Sequence, residues 1–311
     1  MKITILGYSG KIGVNLVKAL QKTNHRIFIV TRKKNIKISG IDFIYCDLNK
    51  EKNKLDQKIK DSDIIINLIG EYQNEKRMYQ TNVTLLKNLI YQINHSKLKK
   101  KLHFVHLSSC SVYGYYFNSR KLNEYCRLEP NNLYGKTKLL AEEIVIKNSN
   151  KFFSYTIIRP SGVIDDKYQS SGFLKLINLA KKRFTILFGK KDAIGNFIHI
   201  DDLVELIITV SHKKMAKNKI YNISHNFSYN QIFDVIDKNL SYRTKRIYFY
   251  SKILLFIYLK IRSTIIRKVK LPDIRFLLYK TEYDSSLVKK ELNFRFKKNI
   301  KKFVVDNTLD K

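Results

Sequence analysis

Acidic residues, cysteine, proline and tryptophan are all scarce in this chain of 311 residues. Against 26 aspartates and glutamates stand 60 lysines and arginines, a formal net charge of +34. A field of that sign favours anionic partners such as nucleotides, nucleic acid or a membrane surface. The excess is nevertheless spread along most of the chain and accompanies many Ile and Asn and no Trp, as an AT-rich coding sequence would produce. No nucleic-acid partner is expected. Three cysteines, Cys46, Cys110 and Cys126, are odd in number and contain no C-x-x-C pair, which argues against a disulfide framework and a zinc site and fits a reducing cytoplasm. The opening MKITILGYSG has no h-region or cleavage site, so a secreted product is not expected. The longest apolar run, residues 253–259, is far shorter than the ~20 residues needed to span a bilayer. There is no internal repeat or low-complexity segment.

What the chain does have is alternation. Short β-branched runs at residues 3–6, 27–30, 43–45, 64–68, 104–107 and 155–158 are separated by helical patterns over 12–22, 83–93 and 134–147. Strands apolar on both faces and divided by helices predict a parallel sheet covered on both sides, the α/β doubly wound architecture of Rossmann type. Pro160 stops the last of these strands. Beyond it the alternation becomes irregular, which predicts a sheet domain over 1–160 and a smaller, mostly C-terminal α/β lobe over 161–311 that holds the substrate.

The first strand runs into Gly7-Tyr8-Ser9-Gly10-Lys11-Ile12-Gly13, a G-x-x-G-x-x-G loop that opens directly into a helix. Glycines allow the tight turn and close backbone approach, and the helix N-terminus offers N–H groups and a positive dipole end to a pyrophosphate. A dinucleotide site is expected. An acidic residue at the end of the second strand would bind both adenosine ribose hydroxyls of NAD. This chain reads Val30-Thr31-Arg32-Lys33-Lys34, where Arg32 can grip a 2′-phosphate bidentately and nothing repels it. The expected cofactor is NADP, with NAD the alternative and a generally basic surface the competing explanation for Arg32.

In NLYGKTK, Tyr134 and Lys138 stand four residues apart at a helix start, so they share one face. The spacing alone is equally that of a polar helix entry. Hydride transfer at a carbinol carbon also moves a proton at oxygen, and a phenol with an ordinary pKa of ~10 suits that role only when its phenolate is stabilised. An ammonium one turn away and an oxidised nicotinamide both favour phenolate.

Taken together these residues resemble the extended short-chain dehydrogenase/reductase family, the NAD(P)-dependent epimerase/dehydratase group that acts on nucleotide sugars. The glycine loop, Cys46-Asp47-Leu48, NLIGE at 67–71, YQTNVTLLKNLI with Asn82, HLSSCSVYG at 106–114, LYGKTKLLAEE, IIRPSGVI and GNFIHIDDLVELI follow in order to about residue 225. YDSSLVKKELNF, with Asp284, resembles the closing helix of the family. The resemblance implies Tyr134 as general acid/base, Lys138 as its partner, and Ser109 as the hydroxyl on the reacting oxygen, with Ser108 and Ser111 as near neighbours. It implies cofactor contacts at the glycine loop, Thr31, Arg32, Asp47, Leu48, Leu68, Ile69, Gly70, Asn82, Tyr134, Lys138 and Pro160. It also places residues 196–225 back in the sheet domain.

Two departures weaken the carry-over of substrate. Gly195-Asn196-Phe197 lacks the arginine that nucleotide-sugar members typically carry there, and Arg275 is only a loose match to a second clamp. Residues 248–270 alternate apolar stretches with basic residues, the composition of a lobe packing on its cleft or on a second subunit, or of a hairpin on an anionic membrane. His199, Asp201 and Asp202 are read as a helix cap at one of the aspartates bracing the domain junction; no metal is expected. The expected activity is hydride transfer at a sugar carbon of a nucleotide sugar in surface-polysaccharide synthesis, by a 4-ketoreductase or 4-epimerase. A dehydratase is disfavoured because Cys110 and Ser111 stand where its Asp-Glu pair belongs. Two alternatives stay open: a membrane-associated reductase of a lipid or steroid-like substrate at the inner membrane face, and an NADP-sensing protein without turnover. A homodimer is compatible with either.

Overall fold

A computed structural model of the protein describes residues 1–34, 36–48, 57–95, 98, 100–116, 118–149, 152–166, 172–190, 192–249 and 278–309. Arg275 and nearly all of the basic apolar stretch 248–270 lie outside these residues.

Strands β1 (Lys2–Leu6), β2 (Arg26–Thr31), β3 (Ile41–Tyr45), β4 (Ile64–Asn67), β5 (Leu102–Leu107), β7 (Phe153–Pro160) and β11 (Lys219–Ile223) form one parallel sheet in the order β11-β7-β5-β4-β1-β2-β3. The central strands are apolar on both faces because both are covered. Ile64, Ile65 and Ile66 of β4 are each no more than 2% exposed. On one face lie the helices Lys11–Leu20, Ile200–His212 and Ser286–Leu292, which close an apolar cluster with Ile3, Ile5, Ile66 and Val105. On the other lie Leu85–Asn94 and Leu133–Asn148, which cover Ile65, Phe104 and Ile157. Residues 200–223 thus contribute a helix and an edge strand to the large sheet, whereas the strand just before them does not. That strand, β10 (Ile194–His199), pairs with β8 (Gly162–Ile164) and β12 (His225–Ser228).

Two further strand pairs tie distant segments together: β13 (Lys245–Phe249) with β9 (Phe184–Phe188), and β14 (Thr281–Tyr283) with β6 (Arg120–Leu122). The helices Gly172–Ala180, Tyr229–Lys238 and Ile300–Thr308 enclose a separate apolar cluster around Phe173, Phe233 and Phe303. The helix Ile200–His212 is capped by His199, whose Nδ1 accepts from the Asp201 N–H at 3.2 Å, rather than by either aspartate. An imidazole can cap as an oxygen does, and it leaves Asp202 free for another task. The Asp202 carboxylate, 1% exposed, accepts the N–H groups of Lys297 and Lys298 at 2.8 and 3.2 Å and so anchors the C-terminal segment.

Candidate active site

The strand order reverses between β1 and β4, and in an open α/β sheet ligands bind outside the carboxyl ends of the strands at that point. Gly7 leaves β1 with φ +80°, and a side chain there would sit 2.8 Å from the Ile69 amide nitrogen of the loop after β4. At Gly13 a Cβ would come within 2.5 Å of the Tyr8 backbone, so glycine is required for the helix to rise this close to the loop. The N-cap of the helix Lys11–Leu20 is Gly10, with no side chain bonded to the first-turn amides. A cradle of backbone, with uncapped N–H groups at a helix start and no acidic residue in the first turn, fits a pyrophosphate.

At the end of β2, Thr31 is buried and its hydroxyl accepts the Lys33 N–H at 3.1 Å, which closes a turn and leaves Arg32 exposed. Past β3, Asp47 is half-buried, whereas the Leu48 side chain packs into the apolar cluster. The loop after β4 is held from below: Asn67 Oδ1 accepts the Ile69 N–H at 3.1 Å, and Asn67 Nδ2 donates to His106 Nδ1 at 3.2 Å. Leu68 and Ile69 are half-buried and Gly70 is exposed.

Asn82, expected at the cofactor, has a task within the fold. It sits in a π-turn, Gln80–Thr84, which runs into the helix predicted over 83–93. Its amide donates to Glu71 O at 2.9 Å and Thr137 Oγ1 at 2.9 Å, and its Oδ1 accepts the Glu71 N–H at 2.7 Å. Both donor hydrogens are committed, so Asn82 clasps the loop after β4 to the helix that carries Tyr134.

That helix, Leu133–Asn148, starts at Asn132, whose side chain accepts the Gly135 N–H at 2.8 Å. Gly135 packs against the turn Cys110–Tyr113, where a Cβ would meet Ser111 O at 2.3 Å. Lys138 is buried and its Nζ donates to Leu107 O at 2.7 Å, the last carbonyl of β5. Gly70 lies opposite, where a Cβ would be 3.5 Å from that nitrogen. Burial lowers the Lys138 ammonium to about 8, while the Glu142 carboxylate works in the other direction.

The three serines separate by their partners. Ser108 is buried and its hydroxyl donates to Glu142. Ser111 is buried beside Tyr115 Oη, 3.2 Å away. Ser109 is the half-exposed one; its Oγ accepts the Ser111 N–H at 3.1 Å and is a hydrogen-bond neighbour of the Tyr134 phenol. Burial pushes that phenol up to about 12, and the Ser109 hydrogen bond only partly offsets it. Proximity to Lys138 was expected to lower it. Instead the ammonium is tied to Leu107 O, and desolvation governs the phenol.

Residues 3–224 match the model of the NAD dependent epimerase/dehydratase family. The chain belongs to that family. Its cofactor is accordingly a nicotinamide dinucleotide. Among curated relatives, GDP-6-deoxy-D-talose 4-dehydrogenase of Aggregatibacter actinomycetemcomitans is 28% identical over 76% of this chain and 79% of its own length. N-acetyl-alpha-D-glucosaminyl-diphospho-ditrans,octacis-undecaprenol 4-epimerase of Escherichia coli O157:H7 is 24% identical over 62% of this chain and 59% of its own length. In fold, the chain is similar to UDP-glucuronic acid 4-epimerase from Bacillus cereus in complex with NAD, with a TM-score of 0.72, 20% identity and coverage of 99% of this chain and 98% of that one.

Glu142 and Arg159 are the site residues that motif reading passed over. Glu142 stood in LLAEE, one turn beyond Lys138 on the same face, and Arg159 was the single charge in the strand YTIIRP; a charge inside an apolar strand is the signal that could have found them. Among the described residues no group of three or more His, Cys, Asp and Glu is placed to hold a metal ion. Among those same residues no helix is long and apolar enough to cross a membrane.

Proposed function

We propose that this protein moves a hydride, with its matching proton, at a carbinol carbon of a sugar carried on a nucleoside diphosphate, as a 4-ketoreductase or 4-epimerase. The observation that carries the reading is the convergence of Ser109, Tyr134 and Lys138 at the crevice built by Gly7, Gly13 and Gly70. Relatives named as a 4-dehydrogenase and a 4-epimerase support it. The glycine cradle, Thr31, Arg32, Asp47 and residues 68–70 would hold the cofactor, with Pro160 bounding the site at the end of β7. The sheet unit would be the cofactor domain and the segments outside it the substrate lobe. When bound, the cofactor supplies or accepts the hydride and, oxidised, brings a positive ring charge.

Tyr134 carries the proton. A phenol pushed up to about 12 holds its proton at neutral pH, the state required to protonate the carbonyl oxygen in the reducing direction. Ser109 donates to the same oxygen and stabilises the negative charge that develops there. Lys138, held by Leu107 O beside Gly70, would donate to the nicotinamide ribose of the bound cofactor. Arg32, with no carboxylate at the end of β2, favours NADP over NAD, and an exchangeable cofactor fits the reductase better than the epimerase.

A thermal-shift screen tests the reading. NADPH together with UDP- or GDP-sugars is expected to raise Tm, and no response to any nicotinamide dinucleotide would defeat it. Tyr134→Phe is expected to keep cofactor affinity within about twofold while turnover falls ~10²-fold or more; normal turnover by that variant removes Tyr134 from the acid/base role.

A second reading has two observations behind it: one relative is named for an undecaprenol-linked sugar, and residues 248–270 are basic and apolar by sequence. A polyprenyl diphosphate would then replace the nucleotide. Pelleting with anionic liposomes at physiological salt, lost on deleting 248–270, would favour it; absence of binding sinks it.

A further inference from the structure

Beneath the groups assigned to chemistry lies a second set of charges that touches no solvent. We propose that Glu142 and Arg159 form a positioning device for the proton-transfer set, holding the turn that carries Ser109 in register with the helix that carries Tyr134 and Lys138. The proposal rests on the catalytic reading above.

The geometry is specific. Glu142 follows Lys138 by one helical turn, and both are buried, as is Arg159 at 2% exposure. Glu142 Oε1 accepts from Ser108 Oγ and from Arg159 Nε at 3.0 Å, and Oε2 accepts from the Arg159 NH2 nitrogen at 2.6 Å. The remaining Arg159 nitrogen, NH1, donates to Tyr113 Oη at 2.7 Å, and its guanidinium lies 5.0 Å over the Tyr113 ring. Its own carbonyl accepts the Cys110 thiol at 3.1 Å. Tyr113 Oη in turn donates to Asn222 Oδ1 of β11 at 2.9 Å. Ser109 is the N-cap of the turn Cys110–Tyr113. Ser108 before it and Tyr113 after it are therefore both held by the charged groups of this ion pair, and Cys110 by the main chain of Arg159.

Stability gives no reason for such a pair, since apolar side chains of similar volume commonly serve a core as well or better. Position does. A helix, a strand end and a turn must agree to within a fraction of an ångström for one oxygen to meet both Ser109 and Tyr134, and misplacement by ~1 Å can cost ~10²-fold in rate. A planar guanidinium and a planar carboxylate are rigid in two dimensions and suit that task.

Glu142 also faces Lys138 as a counter-charge. The groups around that ammonium are Glu142 on its own helix, with Arg159 of β7 beyond it, the Leu107 carbonyl and the His106 imidazole of β5, which burial keeps neutral, and Gly70 opposite. Removing the negative charge leaves Lys138 and Arg159 as buried cations and lowers the pH at which Lys138 loses its proton.

Three variants decide. Glu142→Gln should lower kcat at least tenfold and move the alkaline limb of kcat/KM downward by about one pH unit. Glu142→Asp, which keeps the charge but shortens the reach, should restore the limb and not kcat. Ser108→Ala, which removes one oxygen and is expected to fold even if Glu142→Gln does not, should lower kcat severalfold with cofactor Kd, read by fluorescence titration, within twofold of the wild type. Wild-type turnover with Ser108→Ala kcat unchanged, or folded Glu142→Gln with its limb unmoved, overturns the positioning role. A wild-type protein that binds nucleotide sugar and cofactor but never turns over defeats the catalytic reading instead.

Discussion

Ser108, Ser109 and Ser111 carry the same hydroxyl within four residues, and their neighbours assign them different tasks. Ser108 is spent on Glu142, Ser111 accepts the Ser109 hydroxyl and lies against Tyr115, and Ser109 is the one of the three that neighbours Tyr134. The family resemblance had pointed to Ser109, but only the carboxylate on Ser108 explains why its neighbour cannot substitute. Arg32 is a parallel case at the far end of the crevice. It is exposed after a turn that Thr31 closes, and among the described residues it makes no ion pair. If it grips a 2′-phosphate, Arg32→Ala removes a charge-assisted contact worth about 1.5–3 kcal/mol. NADPH affinity should fall tenfold or more while NADH affinity stays within twofold, measured by fluorescence titration. Equal losses for both cofactors would mean that Arg32 supplies only general positive field.

Helices and strands show where the pattern was readable and where it stopped. The parallel sheet was legible because strands such as IIIN and RIFIVT are apolar on both faces, a property that only two covering layers explain. The helix Leu133–Asn148 was legible as the pattern over 134–147, one residue short at either end. The π-turn at Gln80–Thr84 was not, because its cause is a pair of distant partners, Glu71 O and Thr137, that Asn82 meets only in three dimensions. The same holds for β6 with β14 and β9 with β13, whose pairing spans long separations and leaves no local period. Gly135 is a close-contact glycine that its sequence context disguises, since a helix start tolerates many residues there. Its missing Cβ lets the helix approach Ser111 O, so Gly135→Ala must push the helix off the turn. Overpacking of this kind costs about 1–3 kcal/mol. The expected outcome is a lower Tm with an even larger loss of turnover, because the displaced element carries Tyr134. A variant with wild-type kcat would show that the helix can shift without moving the phenol.

Across the whole molecule the dominant fact is charge, +34 at neutral pH, and acid should strain the fold in two separable ways. Protonation adds to self-repulsion between surface charges, which salt screens. Buried histidines add a second term that salt does not reach. His103, on β5 against Thr156 Oγ1 at 2.8 Å, is lowered by burial from 6.5 to about 4. Buried His106 and half-buried His225 are shifted the same way, again mainly by burial. A folded-state pKa below the unfolded one means that the unfolded chain takes up the proton first. Stability is therefore complete above about pH 6.5 and is lost as pH falls toward about 4, by an amount on the order of 3 kcal/mol for His103 alone. Carboxylates held low by partners, such as Asp237 beside Arg246 and Asp284 beside Ser286 and Lys121, give way only below that window. Urea unfolding at pH 7.0, 5.5 and 4.5 should show the fall, and His103→Gln should flatten it. Adding 0.5 M NaCl should recover part of the wild-type loss but leave the difference between wild type and variant intact. If salt abolishes that difference, the acid sensitivity belongs to the surface and not to the imidazole in the sheet.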